Sequence, residues 1–122
     1  MVYRVGVRKM VEKMDKEDRE IFAKASRDKE VLGMVAKGKI TIIDFFATWC
    51  GPCKMLGEEL RKIKDENVVI VRVDVDKDNG LSEKLGINAV PFVAVFDTNG
   101  KAFTAFSGYR DENELRKILS GL

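Results

Sequence analysis

The stretch that decides the fold is Asp44-Phe45-Phe46-Ala47-Thr48-Trp49-Cys50-Gly51-Pro52-Cys53-Lys54. Ile40 to Thr48 is β-branched and aromatic, so it reads as a buried strand. Pro52 then stands where a first helical residue belongs, since its missing N–H costs nothing there. Cys53, Leu56, Leu60 and Ile63 line one helical face behind it. A strand therefore runs straight into a helix, and both cysteines lie at the junction.

Working outward, Val68 to Val75 reads as a second apolar strand. Asn79 to Leu85 makes a short helix stopped by Gly86, and Val90 to Phe96 a third strand. Asp97-Thr98-Asn99-Gly100 is a turn signal, with Lys101 to Ser107 as the antiparallel partner. Asp111 and Glu114 form an N-cap and N3 pair ahead of Leu115, Ile118, Leu119 and Leu122. Upstream, Asp15 is a helix N-cap, and Lys16 to Ala36 holds one long helix or two short ones, ended by Gly38. Tyr3, Val5 and Val7 alternate with polar or small residues, a short-strand pattern, and Met10, Val11 and Met14 read as packing residues. The order β-α-β-α-β-α-β-β-α predicts an α/β fold, a mixed sheet with helices on both faces.

Composition bounds the chemistry. The chain has 122 residues, which fits one domain over residues 1–122. Hydrophobic residues are 45% of it, enough for a packed core. Lys and Arg total 22 against 20 Asp and Glu, with no one-signed block, so neither nucleic acid nor anionic lipid is implied as a partner. There is no His, which removes His-based acid–base catalysis and His metal ligation. Two Cys per chain cannot build a four-Cys zinc or iron–sulfur site, so no metal is expected unless a site is shared across a dimer. The absence of Gln, with abundant Lys and Glu, suits a protein selected at high temperature. Met1 to Met14 carries charges every few residues, unlike a secretory signal. The most apolar stretch, Ile40 to Trp49, is broken by Asp44 and is too short to span a bilayer. A cytoplasmic protein is expected, although an export-side protein whose leader had been removed would read the same. In a reducing cytosol a close Cys pair is redox-active or metal-binding rather than structural.

At the junction, Cys50 falls at the N-cap or first position of the helix. Unpaired N–H groups and the helix dipole there favour a thiolate, typically by about 0.3–1 kcal/mol. Cys53 lies one turn further in, and its side chain leans back towards the N-terminus. Cys50 is thus the candidate nucleophile and Cys53 the resolving thiol of a mixed disulfide. With no His to take the Cys53 proton, the candidate base is Asp44, a carboxylate inside an apolar run. Burial raises such a pKa towards neutrality. The alternative for Asp44 is a buried carboxylate satisfied by hydrogen bonds. Trp49 reads as an exposed rim residue, because Trp is seldom fully buried. Lys54 opposes the helix dipole, which suggests a role beside the thiolate or none.

The eleven-residue stretch resembles the active-site strand and helix of the thioredoxin family. Val90-Pro91 resembles that family's cis-proline loop, Asn99-Gly100 its hairpin, and Gly108 the glycine before its last helix. The resemblance runs over about residues 39 to 122. It implies a thioredoxin fold and protein dithiol–disulfide reduction, with Cys50 attacking, Cys53 resolving and Asp44 relaying protons through water. Trp49, Gly51, Pro52, Val90, Pro91 and Gly108 would rim the substrate groove, the Val90 backbone pairing with an extended client segment. Arg72 aligns with a family lysine near the aspartate and is a candidate modulator, or a structural or solvated charge. No cofactor is implied beyond the Cys50–Cys53 pair. The implied partners are a flavin- or ferredoxin-linked thioredoxin reductase and disulfide-bearing clients, and a monomer is expected.

Three departures stand out. About 39 residues precede the central strand, Glu58 replaces a helix-kinking proline, and Phe92 follows Pro91 where threonine is usual. The last is expected to alter the groove. A disulfide oxidant or isomerase is the first rival reading, and a non-catalytic binding module the second.

Overall fold

The computed structural model describes residues 14–122. The expected Tyr3–Val7 strand and the packing roles of Met10 and Val11 lie outside them.

Helix α1 spans Lys16–Ala25 and α2 spans Lys29–Gly33, so the open alternative of one helix or two is decided for two. Asp15 caps α1 by accepting from the Asp18 N–H at 2.8 Å. Asp28 starts α2 in the same way, accepting from Val31 N–H at 3.0 Å. An Asp side chain that bonds its own downstream backbone competes with helix continuation, which is why the run divides there. Strand β1 covers Ile40–Phe46, α3 Gly51–Arg61, β2 Val68–Asp74 and α4 Asn79–Leu85. Strands β3 (Phe92–Phe96) and β4 (Ala102–Ser107) form the hairpin, and α5 (Glu112–Leu119) closes the chain.

The four described strands are ordered β2-β1-β3-β4. β1 runs parallel to β2 and antiparallel to β3, and β3 runs antiparallel to β4. The parallel step needs a crossover, which α3 supplies. Side-chain alternation along β1 sorts the core into two layers. Ile43 and Phe45 pack with Ile21, Phe22, Leu81 and Leu85 from α1 and α4. Ile42 packs with Leu56 and Leu60 from α3 and Leu115 from α5. Helices thus cover both faces of a mixed sheet, as expected. Met14 packs against the first layer. Ile63 falls just after the end of α3 yet stays buried in the second layer.

The Val95 to Phe96 register shift leaves Phe103 as the extra residue of β4. That bulge lets Phe103 and Phe106 enter the same layer despite their odd spacing. No described helix is long and apolar enough to cross a membrane.

Candidate functional site: a dithiol at a strand–helix junction

β1 ends at Phe46, two residues earlier than the apolar run suggests. Ala47 to Trp49 instead turn the chain, and the Cys50 N–H donates to the Ala47 carbonyl at 3.2 Å. Cys50 thereby becomes the N-cap of α3. Its sulfur accepts from the Cys53 backbone N–H at 3.1 Å, the position that an oxygen fills in an ordinary cap. One helical turn separates the two cysteines, and their sulfurs are joined in a disulfide with Cα atoms 5.2 Å apart. Cys50 keeps 5% exposure while Cys53 has none, the order expected for an attacking and a resolving sulfur. Gly51 and Pro52 are exposed above the pair.

The Val90–Pro91 peptide bond is cis and stands opposite Cys50, whose sulfur lies 3.8 Å from the Val90 carbonyl oxygen. Both residues precede β3, which starts only at Phe92. Gly108 donates its N–H to the Pro91 carbonyl at 2.9 Å. Its φ of +87° lies in the left-handed region, so a side chain there would be strained. Trp49 is 71% exposed, as expected of a rim residue. Its indole N–H donates to Asp76 Oδ2 at 2.9 Å. Asp76 escaped the sequence reading, because nothing local marks a partner 27 positions away.

Phe92, expected to alter the groove, has its own side chain in the core. It is fully buried against Phe45 in the first core layer, the ring centroids 6.3 Å apart. Strand alternation turns it inward, away from the cysteines.

Asp44 has no exposure. Even-numbered like Ile42, it faces the α3 side of the sheet. Burial raises its pKa above the ordinary carboxylate value, while the hydrogen bond and charge of Arg72 pull the other way. Arg72 Nε donates to Asp44 Oδ2 at 3.0 Å, and among the described residues Asp44 Oδ1 has no hydrogen-bond partner. The reading of a carboxylate satisfied by hydrogen bonds is therefore only half met. Arg72 is not a freely solvated charge. Its guanidinium carbon stands 4.0 Å over the Phe46 ring, and its far end rests against Gly57. A Cβ at Gly57 would lie 3.3 Å from Arg72 Nη2, so the missing side chain is what lets the guanidinium lie along α3. A glycine inside a helical run was the available signal for such close approach.

A cavity of about 330 Å³ opens between Cys53 and Arg72, with Thr48, Lys54 and Arg61 among its walls. Lys54 is exposed on the first turn of α3. Among the described residues, no cluster of three or more His, Cys, Asp or Glu is arranged to hold a metal ion.

The thioredoxin family model matches residues 21–121. The chain belongs to the thioredoxin family. It is 38% identical over 86 residues to thioredoxin from Malassezia sympodialis, spanning 67% of this chain and 80% of that one. Chlamydia trachomatis thioredoxin is 36% identical over 88 residues, spanning 70% of this chain and 84% of that one. Among solved structures, chloroplastic thioredoxin z superposes with a TM-score of 0.69 at 29% identity, over 79% of this chain and 88% of that one. Fasciola hepatica thioredoxin gives 0.60 at 32% identity, over 70% and 82%. Membership makes the protein a dithiol–disulfide oxidoreductase, because a thioredoxin carries electrons in its own cysteine pair without an external cofactor. The thioredoxin relatives also include a mitochondrial form from Bos taurus, of which this chain spans 50%.

Proposed function

We propose that the protein works as a single-domain cytoplasmic reductant of protein disulfides, with Cys50 as nucleophile and Cys53 as resolving thiol. The observation that carries this reading is the placement of Cys50 at the N-cap of α3 and Cys53 one turn inside it. The Cys50 thiolate attacks one sulfur of a client disulfide. That S–S bond breaks, a mixed disulfide forms, and the first client sulfur leaves as a thiolate that takes a proton. Cys53 then loses its proton and attacks Cys50 Sγ. The second client sulfur is released, and two electrons have passed to the client. The Cys50–Cys53 disulfide remains, ready for re-reduction by a flavin- or ferredoxin-linked reductase.

Asp44 is the base for the Cys53 proton, acting through water. Its buried setting below α3 and raised pKa support that role. Arg72 is a positioning residue that holds the carboxylate through Oδ2. Trp49, Gly51, Pro52, Val90, Pro91 and Gly108 form the client groove, with Lys54 at its edge. The backbone of Val90 is the docking edge for an extended client segment. The chain acts as a monomer, and its Lys- and Glu-rich, Gln-free composition suits work at high temperature.

The direction of electron flow is tested by titrating the cysteine pair against a dithiol buffer. A potential near the −270 mV of reducing thioredoxins supports the reductant. One at about −180 mV or above makes the protein an isomerase or oxidant.

A further inference from the structure

Like the cavity lined by Lys24, Arg27, Asp28 and Lys84, the one beside Cys53 carries an excess of positive charge. Lys54, Arg61 and Arg72 reach it, against a single carboxylate, Glu58. The cavity at the start of α1 instead sets Asp15 and Asp18 against Arg110. The one along β2 sets Asp74 and Asp78 against Arg72 and Lys77. Among the described residues neither Lys54 nor Arg61 has an ion-pair partner. Among the described residues Arg72 donates only through Nε, to Asp44, so both Nη groups remain as donors where they pass Gly57. Thr48, which also lines the cavity, carries a hydroxyl that can serve as a neutral donor. A volume of about 330 Å³ stands at the small end of ligand pockets.

We infer that this cavity is a binding site for a small phosphate group, held by the Nη atoms of Arg72 with Lys54 and Arg61 closing over it. Guanidinium forks match phosphate oxygens in pairs, and a dianion answers the excess of positive charge. Glu58 opposes the ligand and limits its affinity. Val90, Pro91 and Gly108 are not among the walls of the cavity, so a bound phosphate leaves that side of the client groove open and meets it only at Lys54.

The test titrates the full oxidised chain with inorganic phosphate at constant ionic strength, followed by amide NMR shifts. Saturable shifts confined to Thr48, Gly57 and Arg61 are expected, with a dissociation constant on the order of 1 mM. Arg61→Gln weakens binding roughly twofold to fivefold and Glu58→Gln tightens it by a similar factor, the size expected of exposed charge pairs. Both variants keep wild-type reductase activity without phosphate. Methyl phosphate, run in parallel, identifies the source: tighter binding than inorganic phosphate marks a phosphomonoester, weaker binding the free ion. Non-saturating shifts spread over exposed lysines overturn the inference, as do two variants with unchanged affinity.

Discussion

Residue by residue, the chemistry divides between a partly exposed sulfur, a buried sulfur and a buried carboxylate. Cys50 retains enough surface for a client sulfur to reach it, while Cys53 can meet only Cys50. Cys53→Ser should therefore accumulate a mixed disulfide on Cys50, seen as a client adduct by intact-mass spectrometry. Cys50→Ser should form none and lose all turnover. Asp44→Asn removes the carboxylate buried on the α3 side of β1. It should slow disulfide exchange near neutral pH by roughly a hundredfold, the low end of what a positioned base contributes. The pH–rate profile should flatten as well; an unchanged profile would remove Asp44 from proton transfer.

Among the elements, the helix starts carry much of the local specification. Asp15, Asp28, Asp78 and Asp111 each accept from a backbone N–H in the first turn that follows. At α5 the cap is reciprocal, since the Glu114 side chain also accepts from the Asp111 N–H. A second carboxylate joins there from another helix: Glu59 Oε1 accepts from the Glu112 N–H at 2.9 Å, tying the end of α3 to the start of α5. Asp111→Ala should cost about 1 kcal/mol, read as a lower urea midpoint with unchanged slope. The Asp15 and Asp111 caps were legible because they are local, a side chain and an N–H three residues apart. The Glu59 link was not, because its partners are 53 positions apart. Strand ends were misread for the same reason. Thr48 and Val90 have strand-like side chains, but their backbones serve the turn before α3 and the cis loop.

On the scale of the whole molecule, Asp44 sets function against stability. Its folded-state pKa is raised, so the folded protein holds a proton that the unfolded chain would release. Its contribution to stability is present below the unfolded value, near 3.8, and is lost as pH rises through the folded value. The fold carries a fully buried carboxyl group, one oxygen of which has no hydrogen-bond partner among the described residues, and burial disfavours its charged form. Asp44→Asn should then raise stability by on the order of 1–3 kcal/mol at neutral pH, the usual cost of such a group. The gain should disappear below about pH 4, where wild type is protonated too. Paired urea titrations at the two pH values check this; a loss of stability at neutral pH would mean that Arg72 more than compensates the burial.

Several features of this thioredoxin-family protein were written along the chain. Cys50 and Cys53 sit at a strand-to-helix junction because β-branched residues, Pro52 and the helical spacing behind it say so locally. The two-layer sheet follows from alternating strand and helix periods, which are also local. Tertiary structure alone decided which groups meet. It placed Arg72 between Phe46, Gly57 and Asp44, tied Trp49 to Asp76, and turned Phe92 into the core rather than the groove. Those contacts join residues brought together by sheet pairing, such as the Asp44–Arg72 register of β1 on β2. Periodicity tells which face a side chain takes, but only the packed sheet tells what stands opposite it.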